Sequence, residues 1–360
     1  MKKEKLIFCG DLVCPFGCQV DYSKVKPLFE GAIGIANLEG AILPNEEAVE
    51  HPKWNDKYSL YSSPDILEVI EDLNIRYVSL CNNHILDYKL PIEYTQDSLN
   101  SRGIKWWGLK NHDVLETSLN GKFLYLITFA TFANEHSLNL FNPHLVLQEI
   151  QELREKEPDA LIVVYPHWGV EKFYYPEPAD RELAHACVDA GANLIVGHHP
   201  HIVQPIEVYK GVTIVYSLGN FILPQTFYGK KKLVYKQTEV QNELILEWDG
   251  EQINFTRLFY DRDTNILTPS SYQDITEFYS LFGKEMGYGK YLRLYLSHAS
   301  WLDIFFRTRY VASLTNEYIS YLSRKLLRTF RKAMIAIGVH QPYKHNDSEK
   351  MLTRGVGSNS

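Results

Sequence analysis

The chain has 360 residues, 45% of them hydrophobic, and a formal net charge of -7 at pH 7. A chain of this length and apolar content can bury a sizeable core, as one large domain with an appendage or as two domains. The negative charge argues against a nucleic-acid partner, because a general binder of phosphate backbones needs a basic surface.

The N-terminus and the cysteines indicate a cytoplasmic protein. In "MKKEKLIFCGD" the apolar stretch is interrupted after a few residues by Gly10 and Asp11, so we expect no signal peptide or anchor. No later window reaches the roughly 18 uninterrupted apolar residues that span a bilayer. The five cysteines are expected to be reduced. A zinc site at Cys9, Cys14 and Cys18 is the alternative, but burial as small apolar side chains fits their spacing better.

The first third of the chain predicts strands that end on polar residues. "KLIFCGD" predicts a buried strand that ends at Asp11, and "IGIANLEG" predicts another that ends at Glu39. "SSPDILEVIEDLN" predicts a helix with Ser63 as its cap and Pro64 at its first position. "IRYVSLCNNH" then predicts a strand that ends at His84.

The middle of the chain alternates between helices and strands. A helix is predicted over residues 91 to 102, and a short strand follows at "IKWWGL". "LETSLNGKFLYLITFA" places Asn120-Gly121 between two apolar runs, which is the strongest short signal for a hairpin. A helix over about 143 to 157 leads into the strand "DALIVVYPHWG", which ends at His167.

The same alternation continues to about residue 258. A helix over about 178 to 190 precedes "ANLIVGHHPH", a strand that ends on three histidines. "QPIEVYKGVTIVYSLGNF" predicts a hairpin that turns at Lys210-Gly211, and residues 241 to 258 predict another that turns at Asp249-Gly250. Strands that alternate with helices predict an α/β fold, to which the hairpins add antiparallel character.

Polar side chains with metal-binding groups stand at five of these strand ends. Ligands of α/β sheets bind beyond the carboxyl ends of the strands, so helices on the sheet faces would bring the five ends to one rim. Each polar group buried without a partner costs about 1 to 3 kcal/mol, so a shared cation explains the cluster better than chance. Lone histidines such as His136 and His144 are interpreted as surface or internally satisfied residues. The cluster consists of Asp11, Glu39, Asn83 with His84, His167, and the histidines at 198, 199 and 201.

The chemistry of this cluster predicts divalent metal ions. Carboxylate, imidazole and amide donors without a thiolate suit Mn, Fe or Zn. Six or seven ligands exceed what one tetrahedral ion needs, so two ions are the natural number. Glu39 or Asp11 could supply a carboxylate that bridges the two ions.

At this point the sequence resembles a known family, the bacterial poly-γ-glutamate capsule-synthesis (PGA_cap) family. The matching motifs follow that family's order over about residues 5 to 245. The family is similar in fold to the calcineurin-like metallophosphoesterases. The resemblance therefore implies a four-layer α/β/β/α sandwich with a dinuclear centre at its strand ends and, beyond it here, a helical C-terminal extension. The motifs are "GD" at 10–11, "NLEG" at 37–40, "NNHILDY" at 82–88, "HWGVE" at 167–171, "GHHPHIVQPIE" at 197–207 and "YSLGNF" at 216–221.

The resemblance also implies a role for each matching residue. Asp11 is similar to the metal-binding aspartate of the first strand, and Glu39 stands where a bridging carboxylate belongs. His84 is the implied proton donor to a leaving group, and Asp87 would orient its ring. The implied metal ligands are Asp11, Glu39, Asn83, His167, His199 and His201, with His198 and Glu171 beside them or on the substrate and Asn220 closing the site.

The chain departs from the wider phosphoesterase pattern at two positions. Val13 stands where the first motif normally offers a second ligand, and Glu39 replaces the usual aspartate of the second motif. These departures predict that one ion is held weakly or is absent, while metal binding itself is retained.

The composition changes beyond about residue 270, where aromatic and then basic residues accumulate. We divide the chain into a metallophosphoesterase-like domain at 1–260, a helical basic and aromatic extension at 261–345 and a disordered tail at 346–360. Arg324, Lys325 and Arg328 recur at helical spacing in the extension. The favoured interpretation is a helix packed on the main domain, and the alternative is peripheral membrane or partner contact through residues 301–340.

Two functions fit these observations. The first is a metal-dependent hydrolase of phosphate esters, or less readily of amides, in capsule or exopolymer biosynthesis, with poly-γ-glutamate or a polysaccharide as the polymer. The second is a non-catalytic scaffold or polymer-binding accessory of a capsule synthetase at the membrane. Either would contact an anionic polymer or a phosphorylated substrate. An amide ligase is disfavoured because the chain has no "GxxxxGK[ST]" phosphate loop.

Overall fold

The computed structural model describes residues 3–53, 58–90, 92–110, 114–131, 143–235, 237–282 and 286–298. The described chain is a mixed α/β structure, which confirms the predicted fold class. The predictions for His136, for the side chain of His144, for the basic segment 301–340 and for the tail 346–360 lie outside the described residues.

Two large sheets carry most of the strands. The first sheet has the order β18-β17-β16-β1-β2-β5-β6, with β13 paired to β1 on a separate branch. Its strands are β1 (Leu6–Leu12), β2 (Ile33–Leu38), β5 (Ile75–Ser79), β6 (Lys105–Trp107), β13 (Asn220–Ile222), β16 (Asn242–Trp248), β17 (Ile253–Asp261) and β18 (Ile266–Pro269).

The second sheet is built from the middle of the chain, in the order β11-β12-β10-β9-β8-β7. Its strands are β7 (Val114–Leu119), β8 (Lys122–Ala130), β9 (Leu161–His167), β10 (Leu194–Val196), β11 (Ile206–Tyr209) and β12 (Val212–Val215). Two small two-stranded sheets complete the described strands: β3 (Ala41–Ile42) with β4 (Tyr61–Ser62), and β14 (Phe227–Tyr228) with β15 (Lys231–Lys232).

The helices lie between the strands and after them. They are α1 (Glu46–Val49), α2 (Ile66–Asp72), α3 (Glu93–Ser101), α4 (Pro143–Lys156), α5 (Pro178–Ala190), α6 (Thr276–Ser280) and α7 (Tyr288–His298). Among the helices that the structure describes, none combines the length and the apolar character needed to span a lipid bilayer.

Three of the four hydrophobic clusters in the described residues hold the large sheets and the helices together. One cluster contains residues of both large sheets, such as Phe8 of β1 and Val163 of β9. Side chains on neighbouring positions of the same strands point to opposite faces, so Ile7 packs in a second cluster with residues of α2. The third cluster joins Val164 of β9 to residues of α4 and α5, among them Leu183. Strands buried on both faces explain why these segments read as continuous apolar runs.

The two hairpins marked by glycine are confirmed. Asn120 and Gly121 have φ values of 51° and 80°, and Lys210 and Gly211 have values of 49° and 82°. Positive φ at both central residues is what a two-residue type I′ turn requires, so these dipeptides connect β7 to β8 and β11 to β12.

Three predicted element boundaries were wrong. Helix α2 begins at Ile66 rather than Pro64, and Ser63 is not its cap, because its hydroxyl donates to the carboxylate of Asp65. Strand β5 ends at Ser79 rather than His84, because Oδ1 of Asn82 accepts the backbone N–H groups of residues 84 and 85 and turns the chain. Strand β10 likewise ends before its histidines, at residue 196.

The strand ends that carry the polar cluster come from two sheets, not from one rim of a single sheet. Strands β1, β2 and β5 belong to the first sheet, whereas β9 and β10 belong to the second. Packing of the apolar faces between the sheets, rather than a shared hydrogen-bond ladder, brings the two sets of strand ends together. The hairpin of β16 and β17 extends the first sheet, as expected.

Candidate metal centre

Two buried carboxylates form the acidic part of the site. Asp11 lies in β1 and Glu39 follows β2, and both side chains are completely buried. Parallel pairing of β1 with β2 sets their separation, because residue 11 is in register with Asn37. Both oxygens of Glu39 and Oδ2 of Asp11 have no hydrogen-bond partner among the described residues.

Two histidines from the second sheet face these oxygens. Nε2 of His167 lies 3.6 Å from Oε1 of Glu39, and Nδ1 of His201 lies 3.8 Å from Oε2 of the same residue. Nδ1 of His201 also lies 3.4 Å from Oδ2 of Asp11. Each oxygen of Glu39 therefore faces a different imidazole.

The spacing of these atoms fits metal coordination. Donors bound at about 2.1 Å around one ion lie about 3.0 to 3.5 Å from one another. The separations in the site run from 2.8 Å, between Nε2 of His167 and Oδ1 of Asn83, to 3.8 Å. Donor atoms of Glu39, His199 and His201 all lie within 4.8 Å of one another. The orphaned buried oxygens and the mixture of carboxylate, imidazole and amide donors fit a divalent cation.

A tight turn presents the histidines after β10. His199 and His201 have φ values of 98° and 58°, an uncommon conformation for residues with a side chain. The turn begins at Gly197, where a Cβ would lie 2.1 Å from the carbonyl oxygen of Tyr216. Backbone strain of this kind persists where the surrounding structure fixes it, and it is concentrated at functional sites.

The pKa directions make His167, His198 and His199 neutral and leave His201 as the cationic histidine of the site. Burial lowers the pKa of His199 to about 3 and that of His198 to about 4, and it holds the pKa of His167 well below its usual value. Neutral imidazole is the form that binds a metal ion. Burial also disfavours the charged form of His201, but the Glu39 and Asp11 carboxylates outweigh it and raise its pKa to about 9.

The pKa values of the Asp11 and Glu39 carboxyl groups are shifted in opposite directions. Burial alone would raise the pKa of Asp11, but its contact with His201 and the nearby histidines bring it below its usual value. Burial and the charge of Asp11 raise the pKa of Glu39 well above its usual value. A cation beside Glu39 would favour its ionised form.

His84 and Asp87 form a separate pair at the edge of the cluster. Nδ1 of His84 donates to Oδ2 of Asp87 at 2.5 Å, and the same oxygen accepts the backbone N–H of Leu60 at 3.2 Å. A carboxylate on one ring nitrogen fixes the tautomer and the orientation of the imidazole. His84 Nε2 is then the atom that can exchange a proton with a ligand.

Three predicted residues remain: Asn220, His198 and Glu171. They lie around the cluster in different environments. Oδ1 of Asn220, the first residue of β13, lies 2.9 Å from Nδ1 of His201. His198 is buried against the ring of Tyr165, with the two ring centroids 4.1 Å apart. Glu171 is an exposed residue of the loop after β9. The structure thus brings the predicted residues together, and their roles as metal ligands and proton donor stay predictions.

The sequence analysis did not identify two asparagines, Asn37 and Asn82, whose hydrogen bonds hold residues of the site in position. Nδ2 of Asn37 donates to Oδ1 of Asp11 at 2.8 Å and lies 3.5 Å from Nδ1 of His167. Nδ2 of Asn82 donates to Oδ1 of Asn37 at 3.1 Å. Both stand in the quoted motifs, and a polar residue inside the buried run "IGIANL" is the signal that could have identified Asn37.

Comparisons with known proteins place these motifs in a family. The family described as "Bacterial capsule synthesis protein PGA_cap" matches residues 5–225. "Capsule biosynthesis protein CapA" of Bacillus anthracis is 30% identical over 237 residues, which cover 60% of this chain and 56% of that protein. "PGA biosynthesis protein CapA" of Bacillus subtilis (strain 168) is 30% identical over 230 residues, 58% of each chain.

The chain spans somewhat more than half the length of these curated relatives. Among solved structures, a novel phosphatase of Mycoplasma pneumoniae superposes with a TM-score of 0.47 and 14% identity, covering 72% of this chain and 94% of that one.

Proposed function

The chain belongs to the PGA_cap family of bacterial capsule synthesis proteins, and from that premise we propose that it is a metal-dependent hydrolase of phosphate esters in capsule or exopolymer synthesis. The observation that carries the proposal is the pair of buried carboxylates whose orphaned oxygens face His167 and His201. Burial of these groups is costly unless a cation compensates for the lost solvation.

Two divalent ions, Mn, Fe or Zn, fit this donor set. When bound, they supply Lewis-acid polarisation of the phosphoryl oxygens and a nucleophile at neutral pH. Asn37 holds Asp11 and lies against His167, so it fixes the orientation of a donor from each sheet. The residues that would hold the ions are Asp11, Glu39, Asn83, His167, His199 and His201.

The proton for the leaving group would come from His84. Its Nδ1 donates to Asp87, so Nε2 is the ring nitrogen left to carry the proton that a general acid transfers. Transfer from Nε2 to the leaving oxygen then returns the ring to its neutral form. Asp87 stays in place because a backbone N–H also holds its carboxylate.

Metal content and phosphodiester hydrolysis test the proposal together. The purified full chain should contain one to two equivalents of divalent metal and hydrolyse bis(p-nitrophenyl) phosphate with added Mn²⁺. Asp11→Asn and His201→Ala should lower both metal content and rate, the rate by at least about a hundredfold. His51→Ala, at an exposed histidine, is the matched control and should change neither. A metal-free chain, or full activity in both site variants, contradicts the proposal.

One observation favours a second candidate, a non-catalytic polymer-binding accessory of a capsule synthetase. Val13 is completely buried in an apolar cluster, and its N–H donates to the carbonyl of Ile222, so it offers no donor to a second ion. A centre with one firmly held ion could bind an anionic polymer without turnover. Metal content without hydrolysis, together with retention of polyglutamate, would identify this function. Cytoplasmic location with peripheral membrane contact stays a prediction.

A further inference from the structure

A lysine beside the metal centre is held in an unfavourable backbone conformation. Lys172 follows Glu171 in the loop after β9 and has a φ of 59°. Its backbone N–H donates to the carbonyl of Pro200 at 2.7 Å, which ties the loop to the histidine turn. A left-handed conformation at a residue with a side chain is maintained only where other contacts fix it. The loop therefore holds the Lys172 side chain in a fixed position beside the histidine turn.

An aromatic ring next to the centre positions the ammonium group. Nζ of Lys172 lies 4.9 Å from the ring centroid of Tyr235, and the ring of His201 lies 6.3 Å from the same ring. The guanidinium of Arg262 lies 4.3 Å from the Tyr235 centroid and is buried. Two cations on one aromatic ring fix its position, because each is attracted to the negative face of the ring.

The ammonium group of Lys172 can still donate hydrogen bonds to a ligand. Its ion pair within the described residues is with Glu171, whose Oε2 lies 3.9 Å away, beyond hydrogen-bond distance. The Lys172 side chain is 33% exposed, so a ligand at the centre can reach it. Lys172 is therefore a donor of three hydrogen bonds at the edge of the centre, on a side chain long enough to follow a ligand.

We propose that Lys172, seated on Tyr235, binds an oxyanion group of the substrate beside the metal centre. The group is a phosphate or a carboxylate, the two oxyanions of a phosphorylated substrate and of an acidic polymer. This inference rests on the proposed function, because it names the substrate group that the centre receives. Lys172 contributes a charge-assisted hydrogen bond, and Tyr235 holds its side chain in position.

Binding of inorganic phosphate to the Mn²⁺-loaded full chain, measured by titration calorimetry, tests the proposal. Lys172→Gln should weaken phosphate binding about tenfold, which corresponds to about 1.4 kcal/mol. Lys172→Arg should bind within about threefold of the native chain, because it keeps the charge and the contact with the ring. Lys210→Gln is the matched control, since Lys210 is an exposed lysine paired with Asp189 elsewhere, and it should change nothing.

The Tyr235 variants separate positioning from folding. Tyr235→Phe keeps the ring and should bind phosphate normally, whereas Tyr235→Leu should weaken binding in the same direction as Lys172→Gln. Metal content should stay unchanged in all four variants of Lys172 and Tyr235, and the melting temperature in all but Tyr235→Leu, which loses the ring packed on the buried Arg262. If Lys172→Gln lowers the melting temperature but leaves phosphate binding intact, the lysine is a brace between two loops and the proposal is wrong.

A second ligand identifies the source of the oxyanion. The same titrations with a short polyglutamate should show whether removal of the Lys172 charge weakens carboxylate binding, phosphate binding or both. Unchanged binding of both ligands, or no binding of either to the native chain, overturns the proposal. Hydrolysis with unchanged ligand binding in Lys172→Gln rejects the subsite alone. Weakened binding in a chain that hydrolyses nothing rejects the hydrolase alone.

Discussion

The contact between His84 and Asp87 can be tested by the choice of leaving group. A general acid matters most when the leaving oxygen is basic, since such an oxygen cannot depart without a proton. We expect His84→Gln to lower the hydrolysis rate of an alkyl phosphodiester by about 10² to 10⁴, and that of a p-nitrophenyl ester by less than about tenfold. Asp87→Asn should follow the same pattern with smaller losses.

Metal analysis is the control for this comparison. His84→Gln should keep its full metal content, because the ring donates to Asp87 and is placed beside the ligand cluster. Equal losses with the two substrates would show that His84 acts in some way other than by protonating the leaving group.

Single residues of the site were predictable where they end an apolar run. Asp11, Glu39 and His167 each stand at the end of such a run, and the structure places His167 3.6 Å from Glu39 and Asp11 3.4 Å from His201. Asn37 escaped prediction because it lies inside its strand, and Tyr235 escaped because its partner Lys172 is distant in sequence. A cation on an aromatic ring leaves no local pattern, so only the folded chain reveals it.

At the scale of elements, the end of β10 lies so close to the segment after β12 that Gly197 should not tolerate a side chain. A Cβ there would lie 2.1 Å from the carbonyl oxygen of Tyr216 and 2.4 Å from Nε1 of Trp168. Gly197→Ala should therefore lower the free energy of unfolding by about 1 to 3 kcal/mol and weaken metal binding, because the histidine turn must shift. Urea unfolding and metal titration measure the two effects.

A glycine in open space is the control for that substitution. A Cβ added to Gly289 in α7 would meet no atom of the described residues within 4 Å, so Gly289→Ala should be neutral or slightly stabilising. If Gly197→Ala matched Gly289→Ala in stability and in metal affinity, the histidine turn would not depend on this close approach.

A buried ion pair fastens α5 to β11. Nη2 of Arg181 donates to Oε1 of Glu207 at 2.6 Å, and the hydroxyl of Tyr216 donates to Oε2 at 2.7 Å. The Arg181 guanidinium also lies 5.2 Å from the ring of Tyr291 in α7, whose hydroxyl donates to the carbonyl of Pro176. The hydroxyl of Tyr291 therefore joins α7 to the loop that follows His167, and the ion pair packs against the same ring.

The pH dependence of stability should reveal this pair. Burial alone would raise the pKa of Glu207, but hydrogen bonds from His185 and Arg181 lower it to about 2 from its ordinary value of 4.5. A lowered pKa means stability that is present above pH 4.5 and lost as the pH falls towards 2, an amount of about 3 kcal/mol. About 2 kcal/mol of it should be lost by pH 3, and urea unfolding at pH 7 and pH 3 measures this loss.

Glu207→Gln removes this contribution and leaves Arg181 buried without its charge partner. At pH 7 the variant should lose about 3 to 5 kcal/mol of unfolding free energy, and the gap to the native chain should narrow as the pH falls. The exposed pair of Lys210 and Asp189 supplies the control, because Asp189→Asn should cost less than about 1 kcal/mol. A gap independent of pH would mean that the charge of Glu207 is not what stabilises the fold.

The whole molecule explains which part of the architecture the sequence could predict. Alternating apolar runs and helical periods identified the α/β class and most elements, since each is a local pattern. The division into two sheets was not predictable from these patterns, because a buried strand reads the same in either sheet. Pairing of β1 with β16, which lies more than 200 residues away, returns the chain to the first sheet after it has built the second.

The position of the site between two sheets makes metal binding a property of the whole fold. Asp11 and Glu39 come from the first sheet, while His167 and His201 come from the second. Ions held by these four proposed ligands would join the sheets in the native state only. Binding of such an ion therefore stabilises the folded chain, by about 2.7 kcal/mol when the free ion is at a hundred times its dissociation constant.

Glu39→Gln should stabilise the folded chain when metal is absent and destabilise it when metal is present. With chelator at pH 7 the native chain carries a buried carboxylate whose pKa is raised by burial and by Asp11. A raised carboxyl pKa means stability that falls as the pH rises above 4.5, so the neutral variant should be more stable by about 1 to 3 kcal/mol. With saturating Mn²⁺ the native chain should be the more stable of the two, because the variant loses the negative charge and one of the two oxygens that could bind the ion.

Glu243→Gln is a matched control for this reversal. Glu243 of β16 is also buried, its oxygens have no hydrogen-bond partner in the described part of the chain, and burial raises its pKa well above the usual value. It is not among the proposed ligands, so its substitution should stabilise the chain equally with chelator and with Mn²⁺. Urea unfolding of the three proteins in both conditions decides the matter. If Mn²⁺ stabilises Glu39→Gln as much as the native chain, Glu39 is not a ligand, and the cost of burying its carboxylate is offset by something other than a cation.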